Sequence, residues 1–199
     1  MISAQFKELV LQSLTHERGG VLVYETALEC AVNPDLRDEW TTYHSQTQNH
    51  VAVLTDVCES LGLDAGEMTP GCQIVQHMGK ALVMAMKMAL AEGDASAAEL
   101  VACECVVLAE TKDHADWELL GKCAQALDGE AGSVLTAAVE QIEDEEDEHL
   151  YHTQGWCREL WLESLGLEAV LPPPEEKKDV KSAAGAEKAK KERPAPTAR

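Results

Sequence analysis

The sequence predicts an all-α fold, with four long helices and a shorter crossover helix between the second and the third. Three observations carry that expectation. Apolar residues make up 45% of the chain but aromatics only 4%, and the apolar set is mostly Ala, Leu, Val and Met, which suits closely packed helices. Apolar residues recur every three to four positions over stretches of about thirty residues free of internal Pro. Asn33-Pro34-Asp35 and Thr69-Pro70 then supply an N-cap followed by Pro at the first helical position.

The first helix is expected over Ala4–Ala31, on the stripe Phe6, Leu9, Val10, Leu14, Val21, Tyr24 and Leu28, with Glu17 inside it. Gly19-Gly20 costs this helix about 1 kcal/mol per residue against Ala, which points to close approach of a neighbouring backbone. The second helix starts at Asn33-Pro34 and continues to Leu61, with Gly62 as a left-handed stop. Its inner stripe is Leu36, Trp40, Tyr43, Thr47, His50, Leu54, Val57 and Leu61, and Gln46 lies one turn before His50.

After the connector Leu63–Thr69 comes an apolar, Met-rich helix over Cys72–Ala91. Its Met78, Met84, Met86 and Met88 are read as core of a packed crossover helix. Asp94 caps the next helix, Ala95–Leu127, which carries Leu100, Cys103, Val107, Glu110, His114 and Trp117. Asp128-Gly129 stops it. The last long helix begins at Glu130 or Ser133 and ends at Leu165, before Gly166, and Gly155 is a candidate bend.

These elements make one domain of residues 1–171. Beyond Pro172 the chain is rich in Lys, Ala, Glu and Pro and nearly devoid of large apolar residues, so residues 172–199 are expected to be a disordered tail. From Glu175 onward the tail has eight basic and five acidic residues, so the body is more acidic than the whole chain at −20. An acidic body attracts cations and disfavours nucleic acid. No secretory signal pattern or membrane-length apolar run is found. The seven cysteines are odd in number and contain no Cys-x-x-Cys, as in a reduced, cytoplasmic protein.

The chemistry concentrates in Glu143–His152. Glu143 to His149 is six carboxylates and one imidazole, and Glu146 and His149 form Glu-x-x-His. Residues i and i+3 share a helix face, so one oxygen and one nitrogen can reach a single cation. Taken alone, the motif reads more readily as a solvated acidic face.

Register supplies the partners. Glu17 lies 16 residues before the turn at Asn33 and His50 lies 17 after it, so at 1.5 Å per residue both stand about 25 Å from the turn. Glu110 and His149 stand level in the second hairpin by the same count about Gly129. The hairpins also overlay: Tyr24-Glu25 follows Glu17 as Trp117-Glu118 follows Glu110, and His50-Val51 matches His149-Leu150. On that overlay Glu146 falls on Thr47 and Glu145 on Gln46, so the first hairpin lacks one carboxylate.

Four long helices with a crossover between the second and third, two Glu and Glu-x-x-His units constitute the ferritin-like plan. The chain also resembles the bacterial stress-associated ferritin-like proteins of the YciE/YciF type over Leu9 to Leu165. The carriers are Thr15-His-Glu17, Asn33-Pro-Asp-Leu-Arg-Asp, Gln46-Thr-Gln-Asn-His50-Val, Cys72 and Glu110-Thr-Lys-Asp113. The Glu146/His149 pair and His152 depart from that family. The resemblance implies a helical bundle, a homodimer, and a role in stress linked to metal or oxygen chemistry.

The sequence therefore predicts a cofactor of two Fe or Mn ions, with Glu17, His50, Glu110, Glu146 and His149 as ligands. Gln46, Thr47, Asp113 and Glu143 are supporting residues or alternative ligands, and Glu143 competes with Glu146. The reaction class is oxidation of Fe(II) or removal of peroxide, with a small oxidant such as O2 or peroxide as partner. The competing expectation is a metal-free helical stress protein that acts by binding another protein. A dimer is expected through the end that carries Trp156, Leu160, Trp161 and Leu165.

Overall fold

A computed structural model describes residues 3–193. The described residues form seven helices and no strand: α1 Ala4–Cys30, α2 Pro34–Ser60, α3 Pro70–Ala91, α4 Ala95–Ala126, α5 Gly129–Ser164, α6 Pro174–Lys177 and α7 Ala183–Lys191. The starts follow the expected chemistry. Asn33 Oδ1 accepts from the amides of Asp35 and Leu36, Thr69 Oγ1 from Cys72 and Asp94 Oδ1 from Ala97. Gly62, Gly93, Gly129 and Gly166 all have positive φ at helix junctions, the backbone that glycine adopts without a steric penalty.

α1 packs against α2, α3 and α4, and α5 packs mainly against α4 and α2. Glu99 of α4 locks the α1–α2 turn, its Oε1 accepting from the amides of Val32 and Asn33 at 2.6 Å each. Two apolar clusters fill the interior. One gathers Val23, Tyr24, Leu36, Trp40, Tyr43, Met86, Val106 and Trp156. The other gathers Phe6, Val10, Leu14, Leu54, Val57, Leu120, Leu135 and Ile142. Along each of the four long helices, the polar residues between these clusters fall at one level, and that level is the candidate site.

Three expectations change. α3 covers α1 and α4 with one face only, so Met86 is buried while Ile74, Met78, Met84 and Met88 stand exposed. The methionine stripe is mostly surface. Trp156 and Leu160 are buried within the chain, which leaves Trp161, Leu165 and Leu167 as the exposed apolar residues of that end.

The segment from Pro172 to Arg193 is folded against α5. Glu175 is fully buried and accepts two hydrogen bonds from Arg158, both at 2.8 Å. Glu159 is held by Arg193, and Lys181 by Glu148 at 2.6 Å. Val180, Ala186 and Ala189 close a small cluster on Tyr151. Small side chains and ion pairs do the packing here, which a count of large apolar residues does not register. Gly155 is the landing point: a Cβ there would lie 2.8 Å from Glu175 Oε2 and 2.9 Å from Pro173 Cβ. The remainder of the expected tail, 194–199, lies outside the described residues.

All seven cysteines are free. Among the described residues no helix is long and apolar enough to cross a membrane.

Candidate metal centre

The level between the apolar clusters holds Glu17 from α1, His50 from α2, Glu110 and Asp113 from α4, and Glu146 and His149 from α5, each at most 4% exposed. The five ligands expected from sequence thus converge, and Asp113 joins them. His50 Nδ1 lies 3.0 Å from Glu146 Oε1 and 3.4 Å from Glu17 Oε1. His149 Nδ1 lies 3.6 Å from Glu110 Oε2 and 3.9 Å from Glu146 Oε1. The two imidazoles stack at 5.5 Å with planes 23° apart.

Two groups of three offer ligand atoms all within 4.8 Å of one another: His50, Glu146 and His149, and Glu17, Asp113 and Glu146. Glu146 belongs to both. The second group explains how the chain dispenses with a carboxylate at Thr47. Thr47 turns its hydroxyl to the carbonyl of Tyr43 and its methyl toward Gly20. The fourth carboxylate comes instead from α4, where Asp113 occupies the position that overlays Gly20.

A reciprocal outer layer orients these groups. His50 Nε2 is 2.8 Å from Glu145 Oε2 of α5, and His149 Nε2 is 3.0 Å from Gln46 Oε1 of α2. Each partner is the residue four before the other histidine. With the far nitrogen so engaged, Nδ1 is the atom turned to the centre, as in carboxylate–histidine–metal arrangements. Likewise Trp117 of α4 donates to Glu17 of α1 at 2.6 Å. Its counterpart Tyr24 stands beside Glu110: burial opposes charge on that carboxyl, but His149 and then Tyr24 hold it below its ordinary value.

Gln46 and Thr47 therefore sit behind the centre. Glu143 is exposed and belongs to a surface cleft, because one turn earlier the inward position of α5 is taken by Ile142. Sequence reasoning missed Glu145 as the partner of His50. The signal was present, since Glu145 overlays Gln46. His152 lies apart, its Nδ1 2.9 Å from Glu39 Oε1 and 3.0 Å from the Tyr43 hydroxyl.

Seven buried atoms of this layer have no hydrogen-bond partner: Glu17 Oε2, His50 Nδ1, Glu110 Oε2, Asp113 Oδ1, both Glu146 oxygens and His149 Nδ1. A buried polar group left unsatisfied costs about 1–3 kcal/mol, so the set is expensive unless a cation or protons satisfy it. Without a metal, protons do so. Burial opposes charge on His50, but Glu145, Glu146 and Glu17 outweigh it and push its pKa up to about 12. Burial raises Glu146 to about 7, with Glu17 and Glu110 adding to the rise and His50 opposing it. Burial, then Glu146, Glu17 and Glu110, hold Asp113 well above the carboxylate range. Burial likewise opposes charge on His149, which Glu110 and Glu146 nonetheless raise. The donor set of four carboxylates and two imidazoles fits two divalent cations, whose four positive charges match the four carboxylates, and N/O donors of this kind suit iron and manganese.

No protein-family model, curated protein or solved structure matches this chain. The resemblance drawn from Gln46–Val51 therefore gains no support from relatives, and the geometry of this polar level carries the functional reading.

Proposed function

We propose that the chain is a non-haem dinuclear metal protein of the ferritin-like four-helix plan, with α1, α2, α4 and α5 as the four helices and α3 as the crossover. Glu146 carries the proposal: one buried carboxylate, with Oε1 facing both imidazoles and neither oxygen in a hydrogen bond, belongs to two ligand groups at once, as a residue bridging two ions would. Glu17, Asp113 and Glu146 would hold one ion, and His50, His149 and Glu146 the other, with Glu110 beside His149. Fe(II) or Mn(II) in such a site supplies electrons to dioxygen or peroxide, which makes Fe(II) oxidation or peroxide removal in stress defence the proposed reaction class.

The chain's own contribution is placement. Glu145 and Gln46 fix the imidazoles, and Trp117 fixes Glu17. The apolar clusters above and below lower the local dielectric and strengthen the charge interactions between them. A homodimer through Trp161, Leu165 and Leu167 belongs to the same proposal.

The test is metal analysis of protein purified without chelator, followed by Fe(II) addition with an oxygen electrode. The proposal expects about two ions per chain and oxygen or peroxide consumption that follows Fe(II). A second reading has its own observation. The exposed Ile74, Met78 and Met88 face of α3 suits a metal-free protein that docks on a partner, with protonated imidazoles satisfying the buried carboxylates. An Fe(II) titration that leaves the melting curve unmoved favours that reading.

A further inference from the structure

A cleft of 550 Å³ opens between α4 and α5 beside the start of α7, and its lining reaches from the surface to Trp117 and Glu146. Glu140, Glu143 and Asp147 line its α5 wall, spaced to share one helix face. Glu118 stands on the α4 wall. Asp147 is held by His114 at 2.8 Å. Among the described residues, no cation pairs with Glu118, Glu140 or Glu143, although Lys122 shares the lining. Five carboxylates therefore face one cleft that has a single lysine.

An acidic surface alone would be ordinary for a chain of this charge. The observation that points to a ligand is Glu146, whose side chain is buried and lines this cleft: its Oε1 lies 3.0 Å from His50 Nδ1 without forming a hydrogen bond, and its Oε2 has no hydrogen-bond partner. By contrast, the 270 Å³ cleft between α1, α3 and α4 is lined mainly by apolar groups and reaches no ligand.

We propose that the acidic cleft is the loading route of the centre, where Glu118, Glu140, Glu143 and Asp147 gather hydrated divalent cations and hand them to Glu146. The inference rests on the metal-centre reading. Like charges along a low-dielectric wall focus the field and raise the encounter rate of an opposite charge by 10- to 10³-fold, an effect that salt screens.

The experiment mixes metal-free, full-length protein with Co(II) by stopped flow and follows the visible absorption of the bound ion. The triple variant Glu118→Gln, Glu140→Gln, Glu143→Gln should slow second-order uptake about tenfold at low salt. The deficit should fade at high salt, and the final amount bound should stay the same. Gly121→Leu should slow uptake at both salt levels by filling the cleft. A Cβ at Gly121 would meet only Val139 Cγ1, at 3.5 Å, an ordinary contact, so a side chain can leave the backbone there without a clash. Wild-type rates in both variants overturn the route. A lower final amount at an unchanged rate also overturns it, since the residues would then be ligands. Failure of the wild type to bind Co(II) would instead sink the centre itself.

Discussion

Glu146→Gln should reverse the sign of its effect on stability between the metal-free and metal-loaded protein. Burial, with Glu17 and Glu110, raises the Glu146 carboxyl from 4.5 to about 7. A raised carboxyl means that the folded state binds the proton more tightly than the unfolded one. Its stabilising contribution is therefore full below the ordinary carboxyl range and is lost as pH rises through about 7. At ~1.36 kcal/mol per pKa unit, the ionised form costs the folded, metal-free chain about 3 kcal/mol at pH 8. Glutamine keeps the shape and removes that charge. At ~2–4 °C per kcal/mol for a chain of this size, the ceiling is a rise of about 6–12 °C in Tm. The measured gain should fall below that ceiling, because the new amide N–H groups need acceptors. Glu17 and Asp113 are the nearest candidates. With metal present the order inverts. An ion at a hundredfold excess over Kd adds ~2.7 kcal/mol to the wild type, and the variant loses the one carboxylate common to both ions. Scanning calorimetry at pH 8, with and without Mn(II), reads both signs. A metal-free variant that melts below the wild type, or a variant that gains as much from Mn(II) as the wild type, refutes the reasoning.

Metal affinity should rise with pH through the neutral range, because His50, His149 and Asp113 hold protons there that an incoming ion must displace. Titration calorimetry in two buffers of different ionisation heat should count about two or more protons released per chain at pH 7. A count of zero contradicts the assignment. Glu145→Ala should weaken binding about 10- to 100-fold by freeing the His50 ring, while the circular dichroism spectrum stays helical. Unchanged affinity means that Glu145 does not orient the ligand. Gly155→Ala should lift the 172–193 segment from α5, since its methyl meets Glu175 and Pro173. Trypsin should then cut rapidly at Lys177 and Lys178 while the body persists. Equal cleavage rates in variant and wild type would mean that the segment is not seated there.

The helix ends and the level of the site were legible because both follow from local rules. Asn33, Thr69 and Asp94 are capping residues, and counting 1.5 Å per residue from Asn33 and Gly129 puts Glu17, His50, Glu110 and His149 at one height. The choice of Glu146 over Glu143 was not decidable from spacing, because both lie one turn from His149 or from each other. Ile142 decides it by filling the inward position of the turn before. Asp113 was visible only as a neighbour of Glu110. Its role depends on Glu17 of α1 and Glu146 of α5 standing within reach of it, which is a relation between helices. The α3 face failed for a similar reason. Met78 and Met88 have the spacing of a core stripe, but among the described residues no element covers that side, and they stand exposed. The segment after Pro172 failed because Glu175 and Arg158 hold it by charge in a sequence that reads as solvated.

The central claim is that one buried carboxylate is shared by two cation positions. Crystals grown from metal-free protein and soaked in Mn(II), measured near the manganese absorption edge, test it most directly. Two anomalous peaks are expected, one among Glu17, Asp113 and Glu146 and the other among His50, Glu146 and His149. No peak at that level, with the imidazoles still paired to the carboxylates, would contradict it.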